Sequence, residues 1–186
     1  YSRVWDTAIN GRNIEIINLD NFDENVKTIT ADGDVKGIEA FKAYYNNYIT
    51  GFSDAEFNIV DAFGQGDKVV KHWSFKGTHD GEFFGIPATG KKVVFRAIAD
   101  CYAINNSITD EWLVRDYGGI AKQLGWNSKA LAEKIIEDEG GPDQCNKPLN
   151  RLNYQEGPYK GRGNENEWGC KYADTIDKIM SAELSI

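Results

Sequence analysis

Apolar residues fall at helical steps near the start of the chain and crowd into β-rich runs through its middle. Over residues 1–9, Val4, Trp5, Ala8 and Ile9 keep helical spacing, and Asn10-Gly11 supplies a stop. Asn13 stands where it would cap a second short helix carrying Ile14, Ile16 and Ile17. From Asn21 to Lys36 the composition turns to Asp, Asn, Gly and Thr, with one short strand expected at Val26 to Thr30. Gly37 then opens the clearest helix, in which Ile38, Phe41, Tyr44, Tyr45, Tyr48 and Ile49 recur at steps of three and four before Gly51 ends it. A tyrosine stripe of this kind is either plain core or the wall of a ligand cavity, and periodicity alone does not separate the two.

Strands follow. Ala55 to Phe63 reads as the first long strand, and Gly64-Gln65-Gly66-Asp67 as the hairpin that returns the chain into Val69 to Lys76. The runs VVKHWSFK and KVVFRAIADCYAI, rich in Val, Ile, Phe, Trp and Tyr and free of proline, flank residues 77–92, GTHDGEFFGIPATGKK. Glycine and proline break that intervening stretch every few residues, yet Phe83, Phe84 and Ile86 need burial, so it is expected to be a structured crossing loop. Asn105-Asn106 tolerates the positive φ of a two-residue turn, and SITDEWLVRD completes a meander of four strands. A sheet of this kind needs helices on one face, and the helices came first, which gives an α+β layout.

After Gly125 the character changes. Ser128 to Glu139 reads as a helix with Ser128 as cap, stopped by Gly140-Gly141-Pro142. Residues 140–169 read as irregular, and a last helix from about Lys171 carries Tyr172, Ile176, Ile179, Met180 and Leu184 on one face. The expected division is a domain over residues 1–125 and a C-terminal extension over 126–186. The closing helix docks on that domain, swaps onto a partner, or begins a truncated second unit. A chain that opens at Tyr1 already inside a helical pattern is expected to be a fragment.

The 186 residues include 29 acidic and 21 basic side chains, a formal charge of −8. Such a balance offers no basic footprint for nucleic acid or an anionic membrane. No run approaches the ~18 to 20 apolar residues of a membrane span, so a cytoplasmic location is expected. An odd cysteine count (Cys101, Cys145 and Cys170) argues for a reducing compartment, with a Cys145–Cys170 bridge as the alternative. Neither the cysteines nor the histidines show zinc or iron spacing, no glycine run makes a nucleotide fingerprint, and no nucleophile elbow is present. No metal and no cofactor are expected.

The run GTHDGEFFGIPATG, the strand EWLVRD and the segment YGGIAKQLG together resemble the signature of the SnoaL-like polyketide cyclases, over roughly residues 1–125. These belong to the nuclear-transport-factor-two-like superfamily with its ketosteroid-isomerase-like fold. The resemblance implies a cone of curved antiparallel sheet closed by N-terminal helices, sheets that pair into a homodimer, and a small apolar carbonyl compound as ligand. It also implies a catalytic aspartate on the last strand with a histidine on the neighbouring strand. A carboxylate in an apolar cavity has its pKa raised, so it can exchange a proton with carbon beside a carbonyl near neutral pH. In this sequence, counting back from QLG puts Leu113 at the aspartate position and Ala99 at the histidine position. A one-residue offset points to the opposite face of a strand, so Asp110 and Asp116 do not stand in for Leu113; a register slip would bring Asp100 and Asp116 back into reach.

Parity places Glu111 and Arg115 on the face of Leu113, with Glu111 either a displaced acid or base or a rim carboxylate paired with Arg115 or a lysine. His72, within a strand, is the other candidate for proton transfer. His79, in GTHDG, is expected to hold the crossing loop, and Arg96 and Asp100 to form a polar patch at a subunit contact or in solvent. The candidate pocket comprises Trp5, Tyr45, Trp73, Ala99, Leu113 and Arg115. Two classes of function follow: a cofactor-free cyclase, isomerase or lyase, or a non-catalytic ligand-binding or dimerisation module.

Overall fold

A computed structural model describes residues 2–30, 33–138, 140–145, 175, 176 and 178. The chain separates into two compact units, Tyr1–Ile135 and Ile136–Ile186. The first is an α+β unit in which helices cover one face of an open six-stranded sheet.

Helix α1, Ser2–Trp5, runs on into a π-helical turn at Asp6–Asn10 that buries Ala8 and Ile9. A single 3-10 turn follows at Ile14–Ile16, and Asn13 makes no side-chain capping bond to it, contrary to the sequence expectation. Strand β1, Phe22–Thr30, is longer than the short strand expected and continues into β2, Gly33–Lys36. Propensity understated β1 because its Asp, Glu and Asn are the solvent-side residues of a strand whose Val26, Thr28, Ile29 and Thr30 are buried. Helix α2, Ile38–Thr50, buries Phe41, Tyr44, Tyr45, Tyr48 and Ile49, the whole predicted stripe except its first, partly buried residue.

Four long strands form the meander: β3, Glu56–Gln65; β4, Lys68–Thr78; β5, Lys92–Ile104; and β6, Ser107–Arg115. Asn105 and Asn106 both adopt positive φ, 51° and 66°, as the β5–β6 turn requires. The sheet order is β2-β1-β6-β5-β4-β3, antiparallel throughout except where β1 lies parallel to β6. That one parallel pairing brings Thr28 opposite Glu111.

The crossing loop is ordered as expected. Phe83 is buried against Phe52 and Tyr48. His79 receives backbone bonds from Thr89 and Gly90 on its carbonyl, while its Nδ1 meets Thr89 Oγ1 at 3.0 Å. Gly81 is required by close approach: a Cβ there would lie 1.9 Å from the Thr50 carbonyl oxygen.

Helix α3, Tyr117–Leu124, is capped by Asp116, whose carboxylate accepts the Gly119 N–H at 2.8 Å. Helix α4, Ser128–Asp138, is capped by Asn127 rather than Ser128, since the Asn127 carboxamide oxygen accepts the Ala130 N–H. A short helix α5, Pro142–Cys145, lies within the stretch read as irregular. The Cys145–Cys170 pairing and most of the closing helix lie outside the described residues. No helix among the described residues is long and apolar enough to cross a membrane.

Candidate active site

The site is built on the inner face of the sheet. Alternation along β4 turns Lys71, Trp73 and Phe75 inward; along β5 it turns Ala97, Ala99 and Cys101 inward; along β6, Glu111, Leu113 and Arg115. In register, Lys71, Ala99 and Leu113 form one row across the three strands, and Val69, Cys101 and Glu111 form the next. Lys71 and Glu111 therefore lie diagonally, two strands apart. They meet over β5, whose inward residues at these two rows, Ala99 and Cys101, are both small.

Lys71 Nζ lies 3.2 Å from Glu111 Oε1, with both side chains essentially withdrawn from solvent. Tyr45, from α2, donates its hydroxyl to Glu111 Oε2, and Thr28 Oγ1 donates to the same oxygen at 3.3 Å. Cys101 Sγ approaches Oε1 at 3.5 Å. The Lys71 ammonium also stands 3.9 Å over the Trp5 ring, a contact that favours its charged form. Burial acts on the two partners in opposite directions: it raises the Glu111 carboxyl to about 8 and lowers the Lys71 amine to about 8. Burial therefore works against the charged form of each partner, while their 3.2 Å contact favours it.

Lys71 also faces a narrow cavity with room for about one water molecule. Trp5, Tyr45 and Trp73, expected in a pocket, line it together with Ile9, Tyr48, Phe57 and Lys71. Glu111 does not line the cavity but is bonded to two residues that do, Tyr45 and Lys71. Ala99 and Leu113 are buried on the same sheet face but do not line the cavity.

Arg115 forms a separate cluster beside it. Its guanidinium donates to the Tyr48 hydroxyl and, at 2.6 Å, to the Tyr117 hydroxyl, and lies 4.5 Å from the Tyr117 ring and 4.9 Å from that of Phe84. Phe84 is held at φ 47°, a conformation a bulky residue keeps only where packing enforces it. The pairing of Glu111 with a lysine, one of the two partners weighed, is realised in the interior rather than at the rim.

His72 lies on the opposite face of the sheet from Lys71 and Trp73, paired in register with the exposed Ile98, and so stands outside the cavity. Asp100 and Asp110 point outward too, held by Lys68 at 2.6 Å and Lys27 at 2.9 Å. With Asp116 committed to the α3 cap, a one-residue slip brings no aspartate to the inner face. Sequence reading missed Lys71 because one lysine among apolar strand residues looks like a solvent-facing interruption. Its parity with Trp73 and Phe75 was the available signal.

A family model for the SnoaL-like polyketide cyclases matches residues 1–124. The chain belongs to that family. Among solved structures it is similar to TsrD from Streptomyces laurentii, at 22% identity over 66% of this chain and 90% of that one, with a TM-score of 0.60. A candidate polyketide cyclase from Bacillus cereus shares 28% identity over 66% of this chain and 76% of that one, with a TM-score of 0.54. A Catenulispora acidiphila protein with a ketosteroid isomerase-like fold, solved in complex with trimethylamine, shares 16% identity over 68% and 93% of the two chains, with a TM-score of 0.54. No curated protein matches the chain. Among the described residues no cluster of histidine, cysteine and carboxylate side chains is arranged to hold a metal ion.

Proposed function

We propose that this SnoaL-like domain binds a small apolar carbonyl compound and transforms it by cofactor-free proton transfer, in a cyclisation, isomerisation or lyase reaction. The observation that carries this reading is the buried Glu111 carboxyl, pushed up to about 8 and joined through the Tyr45 hydroxyl and the Lys71 amine to two residues that line the cavity. A carboxyl poised near neutrality accepts a proton from carbon and returns it with similar ease. Where the family pattern places an acid–base pair at Ala99 and Leu113, this chain carries a displaced one. Glu111 lies two residues before Leu113 on the same face, and Lys71 lies beside Ala99 on the next strand.

The domain works as a homodimer in this reading. Val94, Ile98 and Val114 stand exposed on the outer sheet face, where a second sheet would cover them. Residues 126–186 act as an extension to the cone domain.

Deuterium exchange tests the chemistry. With 2-tetralone as probe in deuterated buffer, the protein is expected to accelerate exchange beside the carbonyl, and Glu111→Gln to lose about 100-fold or more of that acceleration. Equal rates above buffer would remove Glu111 from the chemistry, and none above buffer would leave only the binding-module reading.

A further inference from the structure

The acid–base reading uses Lys71 only as the counter-ion of Glu111, yet Lys71 is itself a lining residue of the cavity, where Glu111 is not. Geometry, rather than composition, sets it apart from the other lysines. Lys76 and Lys129 reach solvent and pair with exposed carboxylates, whereas Lys71 is 2% exposed among Trp5, Tyr45 and Trp73 with a carboxyl 3.2 Å away. Trp73 adds a second feature of the same cavity: its indole N–H is buried without an acceptor among the described residues. A ligand oxygen would satisfy it.

We infer that Lys71 is a covalent amine of this site, forming an imine with a small aldehyde or ketone that the water-sized cavity admits when its aromatic wall moves aside. The inference rests on the proposed carbonyl chemistry and names the bond through which it would proceed. Lys71 first passes a proton to Glu111, leaving a neutral amine and a carboxylic acid. The nitrogen lone pair attacks the carbonyl carbon, and a proton shifts from nitrogen to oxygen to give a carbinolamine. Glu111 then protonates the hydroxyl, which leaves as water, and the product is a protonated imine beside the Glu111 carboxylate. One carbonyl compound is consumed and one water released, with no oxidant or reductant. The protonated imine withdraws electrons from the adjacent carbon more strongly than the carbonyl did, and the Glu111 carboxylate, 3.2 Å from the Lys71 nitrogen, is the nearest base for the proton released there. A desolvated lysine has the reactivity this requires, because burial holds its amine near neutrality at about 8.

Hydride trapping tests the bond. The protein is incubated with propanal and sodium cyanoborohydride at limiting reagent, and alkylated lysines are located by peptide mass mapping. Propyl-Lys71 is expected to form first, ahead of Lys76 and Lys129, and to be lost in Lys71→Arg, which keeps the cation but cannot form the imine. Circular dichroism establishes that the variant is folded, and the wild-type map stands without it. Alkylation of Lys76 and Lys129 with Lys71 untouched would overturn the inference. If tetralone exchange still depends on Glu111 in that case, the covalent step fails and the acid–base reading stands; if exchange is absent as well, both fail.

Discussion

Lys71 and Glu111 meet at 3.2 Å from strands that are not neighbours, reaching across β5 above Ala99. Removing one member takes the counter-charge from the other, whereas removing both leaves an apolar gap. Glu111→Leu alone and Lys71→Met alone are each expected to cost about 3–5 kcal/mol in urea unfolding. The double variant is expected to be more stable than either single variant. A double-mutant cycle that sums additively would show that the two side chains do not act as a pair.

The single variants also separate the two titrations. In Lys71→Met the raised Glu111 carboxyl stands alone. The folded state holds a proton there that the unfolded chain, with an ordinary value of 4.5, has already released. Its stabilisation is thus complete below 4.5 and declines as pH rises toward 8. In Glu111→Gln the lowered Lys71 amine is the isolated group, and the sign reverses. Its cost is fully present below about 8 and is relieved as pH climbs toward the ordinary 10.5. Urea midpoints measured from pH 4 to 10 should show these opposite slopes, while the wild type, in which one proton is shared, should vary less than either.

Arg115 tests a different part of the interior. Its guanidinium serves two tyrosine hydroxyls and two aromatic faces at once, a geometry that depends on a planar fork. Arg115→Lys keeps the charge and loses the fork, and is expected to cost about 2 kcal/mol by urea unfolding. An unchanged midpoint would mean that charge alone matters there.

Much of this interior was legible in the chain, and the exceptions share one cause. The α2 stripe, the meander and the Asn105-Asn106 turn are local patterns, so spacing within a few residues revealed them. Inward placement of Glu111 and Arg115 followed from strand parity within β6. What parity could not supply was a contact between strands. That Lys71 comes within reach of Glu111 depends on the registers of β4, β5 and β6, and that Thr28 reaches Glu111 depends on the parallel β1–β6 pairing, which joins residues 83 apart in sequence. Both are long-range facts that no local window holds.

Ala99 is the residue on which the crossing depends, and its size gives the sharpest test of the site. It is fully buried between Lys71 and Leu113, one row from Glu111. Ala99→Gly keeps that space open and should cost only about 0.5–1 kcal/mol, the usual penalty of glycine in a strand. Ala99→Leu fills the space, forces the lysine and the carboxyl apart, and should cost at least the ~1–3 kcal/mol of an overpacked core. Stability alone would not distinguish a crowded core from a broken pair, but proton transfer does. Tetralone exchange should survive in Ala99→Gly and collapse in Ala99→Leu, even where circular dichroism shows the leucine variant folded. Exchange that persists in folded Ala99→Leu would mean that Glu111 works without Lys71, and the diagonal contact would then be only a structural tie between β4 and β6.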